Sequence, residues 1–99
     1  MIKRIAEKLE GYDPNTHKIA IYTSSHHVAQ RLATQLQLAR REWFYIDSVQ
    51  RTFGMRNLYV LFYGDFLHRE DFDQMWDYWE TFMPSDCHHY LLEQELEEI

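Results

Sequence analysis

Two groups of side chains in this 99-residue chain have types and spacings suited to chemistry. The first is Ser24, Ser25, Asp47, Asp65 and His68, all at or just past the ends of β-rich runs. If those runs form a parallel sheet, the five converge at its carboxyl edge, where open α/β sheets hold ligands. Hydroxyls, carboxylates and an imidazole gathered there could hold a divalent cation or manage a proton. The same residues also suit helix caps, because Ser and Asp accept hydrogen bonds from the free amides of a first turn. Capping is the reading the sequence favours. A triad of Ser24 or Ser25 with His68 and Asp65 lacks the GxSxG elbow that exposes a serine nucleophile. The turn Thr23-Ser24-Ser25-His26-His27 has no glycine, so neither GxxxxGK(S/T) nor GxGxxG is present. No catalytic residue and no cofactor is assigned.

Metal ligation is not expected either. His26-His27 and His88-His89 are adjacent pairs, and on a helix such neighbours point about 100° apart. HExxH is absent. The single cysteine, Cys87, excludes an internal disulfide framework and a cysteine-based zinc site.

The second group is charge. The formal net charge is −6, but it is unevenly spread. Residues 1–64 carry nine basic and five acidic side chains, whereas 65–99 carry eleven acidic side chains and only Arg69 as a base. Asp73, Asp77 and Glu80 recur at helical spacing, and Glu93, Glu95 and Glu97 extend the run. A field of that sign attracts basic protein surfaces and repels nucleic acid, within the ~8–10 Å allowed by salt screening. Acidic helices also keep an aromatic-rich domain soluble. Arg40, Arg41, Arg51 and Arg56, with Phe53 among them, form a candidate basic patch. Such a patch can bind single strands or anchor a protein interface, and the net negative charge favours the interface.

These residues need elements to position them. Ile2, Ile5, Ala6 and Leu9 at helical spacing predict a helix over 2–10, ended by Gly11. Lys18–Thr23, Trp43–Asp47 and Leu58–Tyr63 read as strands. The stripe Val28, Ala29, Leu32, Ala33, Leu36, Ala39 predicts a helix over 26–39 behind a Ser24-Ser25 cap. Phe72, Met75, Trp76, Trp79, Phe82 and Met83 predict a helix over 69–83, stopped by Pro84. Ser85 or Asp86 would then cap a final helix to about Glu98. Strands alternating with helices predict an α/β fold: a small three-stranded, mostly parallel sheet flanked by helices, a Rossmann-like half-domain with an α-helical C-terminus. The ten residues 48–57 sit near the lower limit for a parallel crossover. As a plain loop they would instead allow strands two and three to pair as an antiparallel hairpin.

The stretch IAIYTSSHHVAQRLATQLQL resembles the strand–Ser/Thr–helix unit of RecA-like helicase domains over its twenty residues. The nucleotide-binding motifs of that family do not follow, so the resemblance implies a degenerate half-domain without hydrolysis machinery.

Composition bounds the rest. A 45% hydrophobic and 16% aromatic chain of this length makes one domain, 1–99, and excludes disorder. No window approaches the ~18 apolar residues of a membrane span, and the N-terminus lacks the apolar core of a secretory signal. With one thiol, a reducing cytoplasm is the expected compartment.

The expected function is therefore a non-enzymatic interaction domain, of inhibitor or adaptor type. Its acidic C-terminal helices would dock on a basic protein surface. In general character it resembles phage-encoded inhibitors and nucleic-acid mimics. The alternative is a nucleotide or nucleic-acid binder using the strand-end crevice and the central arginines. A small metal-dependent enzyme on Asp47, Asp65 and His68 and a self-associating homodimer are further options.

Overall fold

Short runs of β-branched and aromatic residues build the sheet, and stripes of period 3.6 build the helices that cover it. The computed structural model describes residues 11–13, 15–82 and 85–92. The strands are β1 (Lys18–Tyr22), β2 (Trp43–Tyr45), β3 (Leu58–Tyr63) and β4 (His88–Leu92). The helices are α1 (His26–Gln35) and α2 (Phe72–Phe82), and single 3-10 turns occupy Arg40–Glu42, Val49–Thr52 and Phe66–His68. The sheet order is β2-β1-β3-β4 and every pair is parallel. Lys18 lies opposite Leu58, Ile19 opposite Trp43, and Tyr59 opposite His88.

β1 to β2 and β3 to β4 step in opposite directions across the sheet. Crossovers of one hand therefore put α1 and α2 on opposite faces. The pleat sorts the side chains to match. Ile19, Ile21, Tyr59, Leu61 and Tyr63 pack with Ala29, Leu32, Ala33 and Leu36 of the α1 layer. Ala20, Tyr22, Val60 and Phe62 pack with Met75 and Trp79 of α2. β3 is buried at all six positions, as its apolar run requires for a strand covered on both faces.

The α/β class and the parallel sheet match expectation, with one correction and one alternative removed. First, the sheet has four strands. His88–Leu92 pairs with β3 instead of opening a helix capped by Ser85 or Asp86. The exposed edge of β3 offers hydrogen bonds to any returning chain, and tertiary pairing outweighs the weak helical pattern here. Second, β2 and β3 are not a hairpin. β1 lies between them, and the connection crosses with one 3-10 turn. The expected 2–10 helix and the chain from residue 93 lie outside the described residues.

α1 also ends earlier than its stripe suggested. The Leu38 amide reaches back to the Ala33 carbonyl at 3.0 Å and the Gln37 amide to Thr34 at 3.1 Å, with Gln37 at φ 59°. This is a left-handed helix stop built without glycine. No helix among the described residues is long and apolar enough to cross a membrane.

Candidate functional site

The carboxyl edge of the sheet is filled by a side chain that the sequence reading did not single out. After β3, Gly64 and the 66–68 turn bring the chain back over the strand ends, and Arg69 points into the crevice. Its guanidinium donates to the carbonyls of Thr23 (3.2 Å), Ile46 (2.6 Å) and Asp47 (3.1 Å). It also donates to both carboxylate oxygens of Asp71, at 3.0 and 2.9 Å. The same group lies 4.1 Å over the Tyr22 ring, whose hydroxyl donates to Asp71 Oδ1 at 2.6 Å. Burial and that hydrogen bond push the Tyr22 phenol far above its ordinary value. One charged fork thus ties the ends of β1 and β2 to the chain beyond β3 and occupies that end of the crevice.

The point where the two crossovers diverge, between β1 and β3, is closed as well. Gly64 has φ 66°, and a Cβ placed on it would lie 3.4 Å from Thr23 Oγ1. Thr23 itself is fully buried.

The five expected crevice residues have these settings. Ser25 caps α1, its Oγ accepting from the Val28 amide at 3.3 Å. Ser24, Asp65 and His68 are exposed. Asp47 is exposed at the end of β2, and its backbone carbonyl serves Arg69. Among the described residues, no three His, Cys, Asp or Glu side chains gather as a metal-binding group. Burial, the leading effect, raises the Cys87 thiol and keeps it protonated.

Open space lies instead along the free edge of β2, in a cleft of about 620 Å³. Alternation along the strand turns Trp43 and Tyr45 toward the α1 layer and Phe44 toward the α2 layer. His26, in the first turn of α1, stands edge-on to Tyr45 at 5.5 Å and lies 6.2 Å from Trp43. Arg40 and Arg51 line the cleft from the turns on either side of β2, and Arg51 sits 5.2 Å over the Phe44 ring. Among the described residues, no carboxylate pairs with either arginine. The turn bearing Arg40 is anchored from below. Glu42, 6% exposed, accepts from the Ala39 amide at 2.8 Å and from the Tyr12 hydroxyl at 2.9 Å.

The four expected basic residues therefore divide. Arg40 and Arg51 share the cleft. Arg41 is exposed outside it, and Arg56 is held by Asp86 at 2.8 Å. The pairing of His26 with Trp43 was not expected, because only the return of α1 onto β2 brings them together.

The outward face of α2 is a second surface. Asp73, Asp77 and Glu80 are exposed there, and none has an ion-pair partner among the described residues. On another side of the helix Phe53, Tyr78 and Phe82 form a row of tilted rings, with successive centroids 4.7 and 5.8 Å apart. Phe53 is 51% and Phe82 66% exposed. Glu93, Glu95 and Glu97 lie outside the described residues.

On its inner face α2 meets β4, where Trp79 Nε1 donates to His89 Nδ1 at 2.6 Å. Burial lowers the His89 imidazole below its ordinary value of 6.5. The unfolded chain therefore binds a proton that the folded chain resists. Stability from this contact is complete above about pH 6.5 and is lost as pH falls through that value toward the folded one. The urea midpoint should drop between neutrality and mildly acidic pH, and His89→Gln should flatten that segment. The drop stays small because part of the residue reaches solvent. A profile identical in the variant would mean that other groups carry it.

No protein-family model matches the chain, and comparison with curated proteins and with solved structures gives no match.

Proposed function

We propose that this domain is a non-enzymatic protein-interaction module that docks the outward face of α2 on a partner with a basic surface. The observation carrying the reading is a run of carboxylates along that helix. Asp73, Asp77 and Glu80 are exposed together on it, and none has an ion-pair partner among the described residues. Phe53 and Phe82, exposed at 51% and 66% on another side of the helix, offer apolar surface of the kind that anchors protein interfaces. The carboxylates would steer a basic partner, and the phenylalanines would lose water on contact. The filled strand-end crevice supports a binding role over catalysis, since Arg69 takes the place where a substrate would sit. An inhibitor and an adaptor would both use such a face.

The test is capture from a cell extract on immobilised protein, comparing wild type with the triple variant D73N/D77N/E80Q and with Phe82→Ala. Retention of a basic partner should weaken about tenfold in each variant and should fall with added salt for wild type. A partner held equally by all three proteins, at low and high salt, would overturn the reading. Sedimentation of the protein alone tests self-association directly. A dimer abolished by Phe82→Ala would assign the row of rings to a second copy instead.

A further inference from the structure

We propose that the cleft along the free edge of β2 binds a nucleotide unit, a planar base joined to a phosphate, at a site independent of α2. Three observations carry this. The cleft is concave, and its volume of about 620 Å³ falls within the range of small-ligand sites, about 300–1,000 Å³. Trp43, Tyr45 and His26 supply flat aromatic surface on one side, all from rigid elements. Arg40 and Arg51 supply two guanidinium groups with no carboxylate partner among the described residues.

Each feature alone has a plainer use. Edge strands are often guarded by charge to block strand addition, and aromatic residues often close a core. Edge protection needs no cavity, however, and core closure needs no unpaired arginines. A ligand with a π-face and an anionic group uses all three at once. The base stacks on the Trp43–Tyr45 side, and the guanidinium groups of Arg40 and Arg51 each donate a charge-assisted hydrogen bond to the phosphate. Asp47 at the rim and Gln30 from α1 offer polar groups for ribose hydroxyls or base edges.

The overall negative charge does not preclude an anion here. α1 contains no acidic residue, and Asp47 is the one carboxylate lining the cleft among the described residues. The phosphate would be held by exposed side chains and not by loop amides, so the affinity should be modest, about 10 μM to 1 mM.

The shared chemistry could come from a free mononucleotide or from one unit of a single strand, and the titration distinguishes them. Uniformly ¹⁵N-labelled protein is titrated with AMP, UMP, adenosine, inorganic phosphate and a short single-stranded oligonucleotide, following the Trp43 indole and the Arg40 and Arg51 side-chain signals. The expected result is saturable shifts at these three residues with AMP or UMP, and much weaker ones with adenosine or phosphate alone. An oligonucleotide binding more than tenfold tighter would assign the site to strands, and equal or weaker binding to free nucleotides. Arg40→Gln and Arg51→Gln should each weaken binding about tenfold, the size of one charge-assisted hydrogen bond. Neither arginine makes a side-chain hydrogen bond or ion pair among the described residues, so backbone spectra should change only near the substituted position in both variants. The D73N/D77N/E80Q variant should bind as wild type does, which separates this site from the α2 surface. No shift at millimolar ligand, or inorganic phosphate matching AMP, would overturn the proposal.

Discussion

Arg69→Ala should lower the free energy of unfolding by about 3–5 kcal/mol, the usual result of removing one partner from a buried ion pair. The side chain is only 10% exposed and its partner Asp71 22%. The truncation removes the donor from the carbonyls of Thr23, Ile46 and Asp47 together. It also leaves a half-buried carboxylate against the Tyr22 hydroxyl with no cation beside it. Small domains are stable by about 5–15 kcal/mol in total, so this one change takes a large share. Arg69→Lys should recover little. An ammonium is a compact point charge and cannot span carbonyls from two strand ends while also pairing a carboxylate. Urea titrations read the effect as a shift in midpoint at unchanged slope. A loss below about 1 kcal/mol would mean that water replaces the guanidinium without difficulty.

Phe62→Ala should be comparably severe, at about 3–5 kcal/mol. Phe62 lies in β3 with no solvent exposure. Its ring meets Tyr22 at 5.4 Å, Phe66 at 5.3 Å, Trp76 at 5.7 Å and His89 at 6.0 Å. Most of these contacts are edge-on or tilted, the arrangements in which ring quadrupoles attract. An alanine opens a cavity walled by rigid rings, which cannot collapse to fill it. Phe62→Leu should recover part of the loss by restoring volume without the ring edges. Tryptophan emission reports the change, because Trp76 and Trp79 both border the cavity and should shift to the red as water enters. An unchanged spectrum with an unchanged midpoint would show that the layer under α2 repacks freely.

Much of the scaffold could be read from residue order. KIAIY and LYVLFY are apolar runs too short for helices, and Phe72 to Phe82 repeats at helical spacing. Ser25 was legible as a cap because a hydroxyl ahead of an amphipathic stripe has one strong local use. β4 was not legible. Histidine occupies two of its five positions, and what makes it a strand is the waiting edge of β3, which lies far away in sequence. The end of α1 was missed because Gln37 takes a left-handed conformation usually signalled by glycine. In sequence Arg69 reads as an isolated base in an acidic stretch. The available signal was its isolation: a lone cation just past a strand, with Asp71 two positions on, suggests a specific partner. The edge cleft was half visible. Trp43, Phe44 and Tyr45 between two arginines mark an aromatic-basic segment, whereas the approach of His26 depends on the crossover geometry.

The strand order also sets a timetable for the nascent chain. β1 cannot meet its inner neighbour until Leu58 has been made, forty positions after Lys18. At translation rates of ~5–20 residues per second, Ile19 to Tyr22 would wait roughly 2–8 s with one side unpaired. A sticky apolar segment left in that state is open to capture by other polypeptides or by chaperones. Weak expression, with few unfinished copies present at once, should therefore raise the yield of native protein.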